Sequence, residues 1–258
     1  MPKTPVLTGM PDFHDSVEYL RRQHHLSRES AAHEAGFSGS YLHQLIRKRT
    51  TPSARIFAKL ADSFDLDTSQ RQHLYDLWQP PAYLPPAAEL RRQLTEFGVQ
   101  HHLDHLDSQE VLAAYFDPLQ TVLHGNHLFH RVMPGLADAD DNILQWILSP
   151  AGRDSIDNWE YELRYVVTLV RSALGRYRDL PRARSLFRTL RTQPEFRRVW
   201  DSTPMQVTYR WSRPAPTGIR IPGTNKHLSL SFEVDEYNAC PDGVLITHGL
   251  YNTPAIAC

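Results

Sequence analysis

Residues 26–49, LSRESAAHEAGFSGSYLHQLIRKR, decide the fold of the N-terminal part of the chain. The first half carries the small pair Ala31-Ala32, and Gly36 follows it. The second half has Leu42 and Leu45 three positions apart. Two helices that cross steeply need small side chains at the contact, and a tight turn needs a residue that tolerates a positive φ. The stretch therefore predicts a helix-turn-helix, whose second helix enters a DNA major groove.

The candidate DNA contacts lie on the polar face of the second helix and just after it. Gln44 can read adenine through two hydrogen bonds, whereas Ser40 and His43 offer single donors or acceptors. The cations that follow suit phosphate groups, which position a protein without reading sequence. The predicted DNA-binding residues are Arg28, Ser38, Gly39, Ser40, Tyr41, His43, Gln44, Arg47, Lys48, Arg49 and Thr51.

The net charge of the chain is only -1, so the sequence does not predict a basic sleeve around nucleic acid. Residues 14–79 hold nine Lys and Arg against eight Asp and Glu. Four of these acids cluster at residues 62–76, away from the predicted DNA face, so the expected positive patch is local. The alternative is a helical bundle with a solvated charged face, which would make the protein an interaction or scaffold protein without specific DNA binding.

Capping residues and apolar spacing predict a five-helix N-terminal bundle. Thr51 is the expected N-cap of the fourth helix, with Pro52 at its first position. Ser27 and Ser38 are the expected N-caps of the second and third helices. The predicted helices are Asp15 to His25, one from after Ser27 to Ala35, one from after Ser38 to about Arg47, one that starts after Thr51-Pro52, and Thr68 to Trp78.

Two changes in pattern divide the chain. Four prolines in residues 79–86 predict a stiff linker, because proline cannot continue a helix. After about residue 205, alternation at Val207, Tyr209 and Trp211 and again around residues 219–232 predicts strands, with a hairpin turn at Pro222–Asn225. The predicted fold class is α+β. The expected domains are 1–79, a proline-rich linker and connecting helix at 80–108, and 109–258.

The composition is that of an ordinary globular protein, with 41% apolar and 22% charged residues. No apolar run approaches the ~18 residues needed to span a bilayer, and the first ten residues lack the apolar segment of a signal peptide. The two cysteines, Cys240 and Cys258, have no metal-ligand spacing, which favours a reducing, cytoplasmic setting. There is no P-loop and no G-x-G-x-x-G, and Gly36–Ser40 lacks the last glycine of a G-x-S-x-G elbow, so we predict no enzyme and no cofactor.

The 14 histidines leave one alternative open. His101 and His105 have the helical spacing of a zinc ligand pair, and His124, His127 and His130 form a second group that might share a metal. Solvated or hydrogen-bonded histidines are the commoner outcome of such clusters. The prediction is therefore no metal site.

The motifs resemble a known family. LSRESAAHEAGFSGSYLHQLIRKRTTPSARIFAKLADSFDLD resembles the Xre/Cro-type helix-turn-helix of lambdoid phage repressors. The chain also resembles the actinobacterial MmyB-like regulators over residues 14–249. The stretches that carry this resemblance are TSQRQHLYDLW with the prolines after it, then NILQWILSPAGRDSIDNWEYELRYVV, PEFRRVW and HLSLSFEVDEYNACPDGVLITH. The family usually has a Trp-Tyr pair and a Glu-Gln-Gly-Arg run where this chain has Ser40-Tyr41 and Ile46–Arg49.

This resemblance implies a PAS-like C-terminal domain, an antiparallel sheet with helices packed on it, that binds a small apolar ligand such as a fatty acid. It also implies a homodimer on a palindromic operator. The helix expected at Ile156 to Tyr177 places an apolar stripe on one face, and Arg164 or Arg171 could meet a ligand carboxylate. Leu119, Val122, Phe187, Leu190 and Trp200 are expected to complete the interior. The predicted ligand-binding residues are Phe116, Trp146, Trp159, Leu163, Arg164, Val167, Val170, Arg171 and Phe232, for which the alternative is plain core packing.

Overall fold

The computed structural model describes residues 9–209, 216–221, 227–238 and 243–251. Contacts between Cα atoms divide the chain into two compact units. The first comprises the chain up to Ala82 together with Arg171–Tyr209. The second comprises Tyr83–Val170 and the described residues from 216 onward. The boundary at Ala82 falls inside the proline-rich stretch, whose residues 80–86 form neither helix nor strand.

The helices are α1 Phe13–Gln23, α2 Arg28–Glu34, α3 Gly39–Lys48, α4 Ala54–Ser63, α5 Thr68–Trp78, α6 Ala87–Glu96, α7 Val99–Ser108, α8 His127–Val132, α9 Ile143–Leu148, α10 Pro150–Ser155, α11 Trp159–Arg176, α12 Pro181–Thr192 and α13 Pro194–Ser202. A short 3-10 helix spans Ala137–Ala139. The strands are β1 Leu112–Phe116, β2 Val122–Gly125, β3 Thr217–Arg220, β4 His227–Glu236 and β5 Leu245–Tyr251.

The N-terminal bundle has the five helices predicted from the sequence. Each of α1 to α5 begins after a residue whose side chain accepts a backbone N–H bond, namely Asp12, Ser27, Ser38, Ser53 and Asp67. These caps satisfy orphan donors at the helix starts and so fix where each helix begins.

One capping prediction is wrong. Thr51 does not cap α4, because Pro52 and Ser53 precede the helix and the Ser53 hydroxyl accepts the Ile56 N–H. Ser53 has the extended backbone of an N-cap, and a serine is as good a cap as a threonine. The helix therefore starts two residues later than the sequence signal at Thr51-Pro52 predicts.

The first unit also contains the end of α11, all of α12 and α13, and the chain to Tyr209. Phe187, Phe196 and Trp200 pack together there, with ring centroids 5.0–6.5 Å apart. Phe187, Leu190 and Trp200 were expected in the interior of the C-terminal domain, and the structure places them in this first unit instead. Helical spacing could not identify their partners, since it shows which residues are buried but not against what.

The second unit is built on an antiparallel sheet with strand order β2-β1-β5-β4-β3. All five residues of β1 are buried, because the strand lies between β2 and β5 and is covered on both faces. Helices α6 to α10 and the first part of α11 belong to the same unit. The predicted α+β class, with a helical N-terminal region followed by an antiparallel sheet with helices, is confirmed.

The predicted strands are partly confirmed. Ile219 lies in β3, and Leu228, Leu230 and Phe232 lie in β4. Residues 207–209 form no strand. They belong to an irregular segment that follows α13. Trp211 and the Pro222–Asn225 turn lie outside the described residues.

Across the described residues, no helix has the length and apolar character required to cross a bilayer.

Candidate nucleic-acid interface and ligand cavity

Helices α2 and α3 form the helix-turn-helix. Ala31 and Ala32 are fully buried at the crossing, and Leu42 and Leu45 anchor α3 in the core. Gly36 adopts φ +70° in the turn, a conformation that costs a residue with a side chain about 1 kcal/mol or more. The fold therefore fixes the orientation of α3 through the apolar face that it buries.

The opposite face of α3 is open to solvent. The exposed predicted DNA contacts are Ser38, Ser40, His43, Gln44, Arg47, Lys48, Arg49 and Thr51, and the half-buried ones are Arg28, Gly39 and Tyr41. Arg28, at the start of α2, lies 3.2 Å from His43 of α3 through its Nη1 and the His43 Nδ1. The structure thus brings the predicted residues of α2, α3 and the following turn to one neighbourhood, and their role in DNA binding stays a prediction.

Acidic side chains of α1 and its cap reach this neighbourhood, which the charge distribution along the sequence did not show. Arg49 ends α3 in the left-handed region at φ +52° and pairs with Asp12 at 2.5 Å and with Asp15 at 3.0 Å. Glu18 pairs with Arg21, Arg22 and Arg28. The acids that pair with DNA-binding candidates are therefore Asp12, Asp15 and Glu18, and not the cluster at residues 62–76.

The pKa values of these carboxyls reflect their partners. Burial raises the pKa of Glu18, but the hydrogen bonds and charges of Arg21, Arg28 and Arg22 outweigh it and bring the pKa to about 2. Burial acts likewise on Asp12, where hydrogen bonds from His14 and the Asp15 amide and the charge of Arg49 hold the pKa well below its usual range. Both carboxylates are ionised at neutral pH, so a DNA phosphate must share Arg49 and Arg28 with them.

A mostly apolar cavity of about 60 Å³ lies within the second unit. Its walls come from β1, β3, β4 and β5, from α8, α9 and α11, and from Gln120, Met133 and Ile156 between these elements. The lining residues are Phe116, Gln120, Phe129, Met133, Ile143, Trp146, Ile147, Ile156, Glu162, Val166, Thr217, Ile219, Phe232, Val234 and Thr247. An apolar wall with a few polar groups is the usual make-up of a small-molecule site.

Three of the predicted ligand-binding residues, Phe116, Trp146 and Phe232, line this cavity. Leu163, Val167 and Val170 are buried on α11 but do not line it. Trp159 is half-buried, its indole donates to the Ile147 carbonyl at 2.6 Å, and the Arg153 guanidinium lies 4.5 Å above its ring.

The two arginines expected at an acid headgroup lie elsewhere. Arg164 is exposed on α11, and Arg171 lies in the first unit, where it donates to the carbonyls of Trp200 and Pro204. Val166 lines the cavity, whereas Arg164 stands two residues before it and Arg171 five residues after it. Neither offset matches the three- or four-residue spacing of one helix face, so the two arginines lie on other faces of α11.

The polar groups of the cavity were missed by sequence reasoning. Gln120 is 2% exposed, and its Nε2 donor has no hydrogen-bond partner among the described residues. Glu162 is 3% exposed, and its Oε1 accepts from the Thr217 hydroxyl at 2.8 Å. Glu162 stands four positions before Val166 on α11, so the two share one helix face. This position on the apolar stripe was the one signal in the sequence that Glu162 is buried.

Two histidines of the stretches 101–105 and 124–130 have hydrogen-bond partners in the structure. His102 Nδ1 lies 2.7 Å from the Tyr115 hydroxyl, and His124 Nε2 lies 3.1 Å from the Arg91 carbonyl. His101, His105, His127 and His130 are exposed. In the part of the chain that the structure describes, no three His, Cys, Asp or Glu side chains come together as metal ligands.

Comparison with known families agrees with these two features. Residues 17–70, which contain α2 and α3, match the helix-turn-helix family model of the Xre type. Residues 97–217, which contribute most of the cavity wall, match the family model described as the MmyB-like transcription regulator ligand binding domain. No curated protein matches the chain. The protein is therefore a DNA-binding transcription regulator that combines an Xre-like helix-turn-helix domain with an MmyB-like ligand-binding domain.

Proposed function

We propose that this regulator binds a palindromic operator as a homodimer, with α3 of each protomer in the major groove of one half-site. The observation that carries this proposal is the exposed polar face of α3, which presents Gln44 and Ser40 beside the cations Arg47–Arg49. Half-sites one DNA turn apart, about 34 Å, suit a two-fold symmetric pair of such helices. The eleven DNA-binding residues predicted from the sequence are the proposed contact set.

We further propose that a small apolar ligand occupies the cavity of the second unit and changes operator affinity. A fatty-acid-like molecule is the candidate that the resemblance suggested. The cavity volume of about 60 Å³ is well below the ~300 Å³ or more of typical small-molecule sites, so side chains such as Met133 and Phe129 must move aside for a lipid-sized occupant. Such a ligand acts as a switch only if it binds two states of the protein with different affinity.

In this proposal the domain boundaries are 1–79 and 109–258, joined by residues 80–108, and the prolines of residues 80–86 form the hinge. The protein acts in the cytoplasm, where its DNA partner lies, and does so without catalysis.

The proposal is tested with duplexes that the wild-type protein selects from a random-sequence library, followed by fluorescence anisotropy. The double variant Gln44→Ala with Arg47→Ala should weaken binding to the selected duplex at least tenfold, because it removes one base-reading amide and one phosphate contact. Arg71→Ala is the matched control, since Arg71 is exposed on α5 and pairs only with Asp62 at 2.7 Å among the described residues. Binding should weaken steeply with salt.

The alternative, an interaction or scaffold protein that reuses the bundle, predicts that no duplex is enriched by the selection. Equal losses in the double variant and in Arg71→Ala would also contradict a reading role for α3. Light scattering of the free and DNA-bound protein tests the dimer, and one protomer per operator would contradict it.

A further inference from the structure

A second cavity, of about 240 Å³, lies entirely within the first unit. Its lining comes from residues 9–12, from α1, and from single residues of α5, α11 and α13. The lining residues are Gly9, Met10, Pro11, Asp12, Asp15, Ser16, Glu18, Tyr19, Arg22, His73, Arg171, Trp200 and Pro204. None of them belongs to α3, and none lines the cavity of the second unit.

A buried cation forms part of this lining. Arg171 is 2% exposed and donates to the Pro204 carbonyl at 3.0 Å, the Trp200 carbonyl at 2.9 Å and the Thr203 hydroxyl at 3.3 Å. Among the described residues, its Nε has no hydrogen-bond partner and no carboxylate pairs with the guanidinium. Burial lowers the pKa of the Arg171 guanidinium to about 9, so the group remains protonated at neutral pH.

Trp200 adds a second unused donor. The Arg171 guanidinium lies 4.0 Å from the centre of the Trp200 ring, and Trp200 is 1% exposed. Its Nε1 is buried and has no partner among the described residues. A buried donor without an acceptor costs roughly 1–3 kcal/mol. Both residues that carry these donors line the cavity, so an acceptor bound there that reached the two donors would recover this cost.

The other titratable groups of the lining are either neutral or already paired. Burial, with the charges of Arg171 and Arg178, lowers the pKa of His73 to about 3, which leaves its imidazole neutral. Asp12 and Asp15 pair with Arg49, and Glu18 pairs with three arginines. These ionised acids repel a doubly charged phosphate about twice as strongly as a singly charged anion, so the lining favours the single charge.

We propose that this cavity binds a small organic carboxylate, which accepts hydrogen bonds from Arg171 Nε and Trp200 Nε1. Asp201 acts on Arg171 only at longer range and itself pairs with Arg191, so the carboxylate supplies the direct ion-pair partner that Arg171 lacks among the described residues and the acceptor that Trp200 lacks there. The volume suits a compact acid of about benzoate size, and the apolar edge of the cavity at Met10, Pro11 and Pro204 suits its hydrocarbon part. This ligand is distinct from the apolar ligand proposed for the second unit.

The test uses the ¹⁵N-labelled full-length protein and the indole N–H signals of its five tryptophans. The Trp200 signal is identified by its loss in Trp200→Phe. Acetate, phenylacetate and benzoate are titrated against benzyl alcohol, a neutral molecule of similar size. At least one carboxylate should shift the Trp200 signal saturably, with a dissociation constant below about 1 mM, and benzyl alcohol should bind at least tenfold more weakly. No response to any carboxylate up to about 20 mM, or an equal response to benzyl alcohol, would overturn the proposal.

Two variants locate the site by calorimetry with the carboxylate that binds. Arg171→Met should weaken binding at least tenfold, and Arg197→Met, an exposed arginine of α13, should leave it unchanged. Arg171 also holds three acceptors, so its removal could unfold the protein. Trp200→Phe breaks no hydrogen bond that the structure shows and keeps an aromatic ring, so the variant should fold. Its affinity for the carboxylate should fall by about fivefold or more. A folded Trp200→Phe with wild-type affinity would contradict the proposed site.

Discussion

The N-cap of α3 allows the stability of the recognition helix to be separated from its DNA affinity. Ser38 is exposed and its hydroxyl accepts the Tyr41 N–H at 3.3 Å. Ser38→Ala removes this bond and should lower the free energy of unfolding by about 1 kcal/mol. Ser38→Asn and Ser38→Asp both restore a cap, and the aspartate adds about 0.3–1 kcal/mol through its attraction to the helix dipole.

The two capping variants should differ in DNA affinity. An aspartate about 5 Å from a phosphate in water is repelled by about 0.8 kcal/mol, which corresponds to a roughly fourfold loss of affinity. Ser38→Asn has nearly the same shape without the charge and should bind about as well as Ser38→Ala. The loss in Ser38→Asp should shrink as salt rises, because mobile ions screen exposed charges.

Urea denaturation followed by circular dichroism measures the stability of the three variants, and anisotropy with the selected duplex measures affinity at two salt concentrations. If Ser38→Asp binds DNA as tightly as Ser38→Asn at low salt, the start of α3 does not face a phosphate. If Ser38→Ala is as stable as wild type, the cap contributes nothing.

Three further predictions concern stability. Leu45→Ala should cost about 2–5 kcal/mol of unfolding free energy, because Leu45 is 1% exposed in the bundle core, and a loss under 1 kcal/mol in urea would contradict that packing. The folded-state pKa of Glu18 is about 2 against an ordinary 4.5, so its contribution to the free energy of unfolding is present above about pH 4.5 and is lost as pH falls towards 2. Glu18→Gln should therefore flatten the dependence of the urea midpoint on pH in that window, and an unchanged slope would refute this. Gly152→Ala should destabilise by about 1–3 kcal/mol or more, because the added methyl would lie 2.1 Å from the Trp146 carbonyl oxygen, and a wild-type melting temperature would show that α9 and α10 pack differently.

The N-terminal bundle could be predicted from the sequence because its signals are local. The serine caps Ser27 and Ser38, a glycine at positive φ and leucines three apart each act within a few residues. The aspartate caps Asp12 and Asp67 were not predicted. The cap error, Thr51 for Ser53, arose where two good caps stand close together, and the hydrogen bond to Ile56 decides between them. The first helix was also misplaced by two residues at each end, since α1 is Phe13–Gln23 and not Asp15 to His25.

The charge environment of α3 could not be predicted, because it depends on tertiary contacts. Arg49 is 34 residues from Asp15 in the sequence, and the crossing of α1 with α3 brings the two together. The polar groups of the two cavities could not be predicted from the sequence either, because their positions also depend on tertiary contacts. Arg171 lies one residue after Val170 on the same helix, yet the two belong to different units, and helical periodicity alone does not show this division.

The most direct test of the central claim is a crystal structure of the protein bound to its selected duplex. We expect α3 in the major groove, with Gln44 and Ser40 at base edges and Arg47–Arg49 against the phosphates. A duplex bound to another surface, with α3 facing solvent, would contradict it.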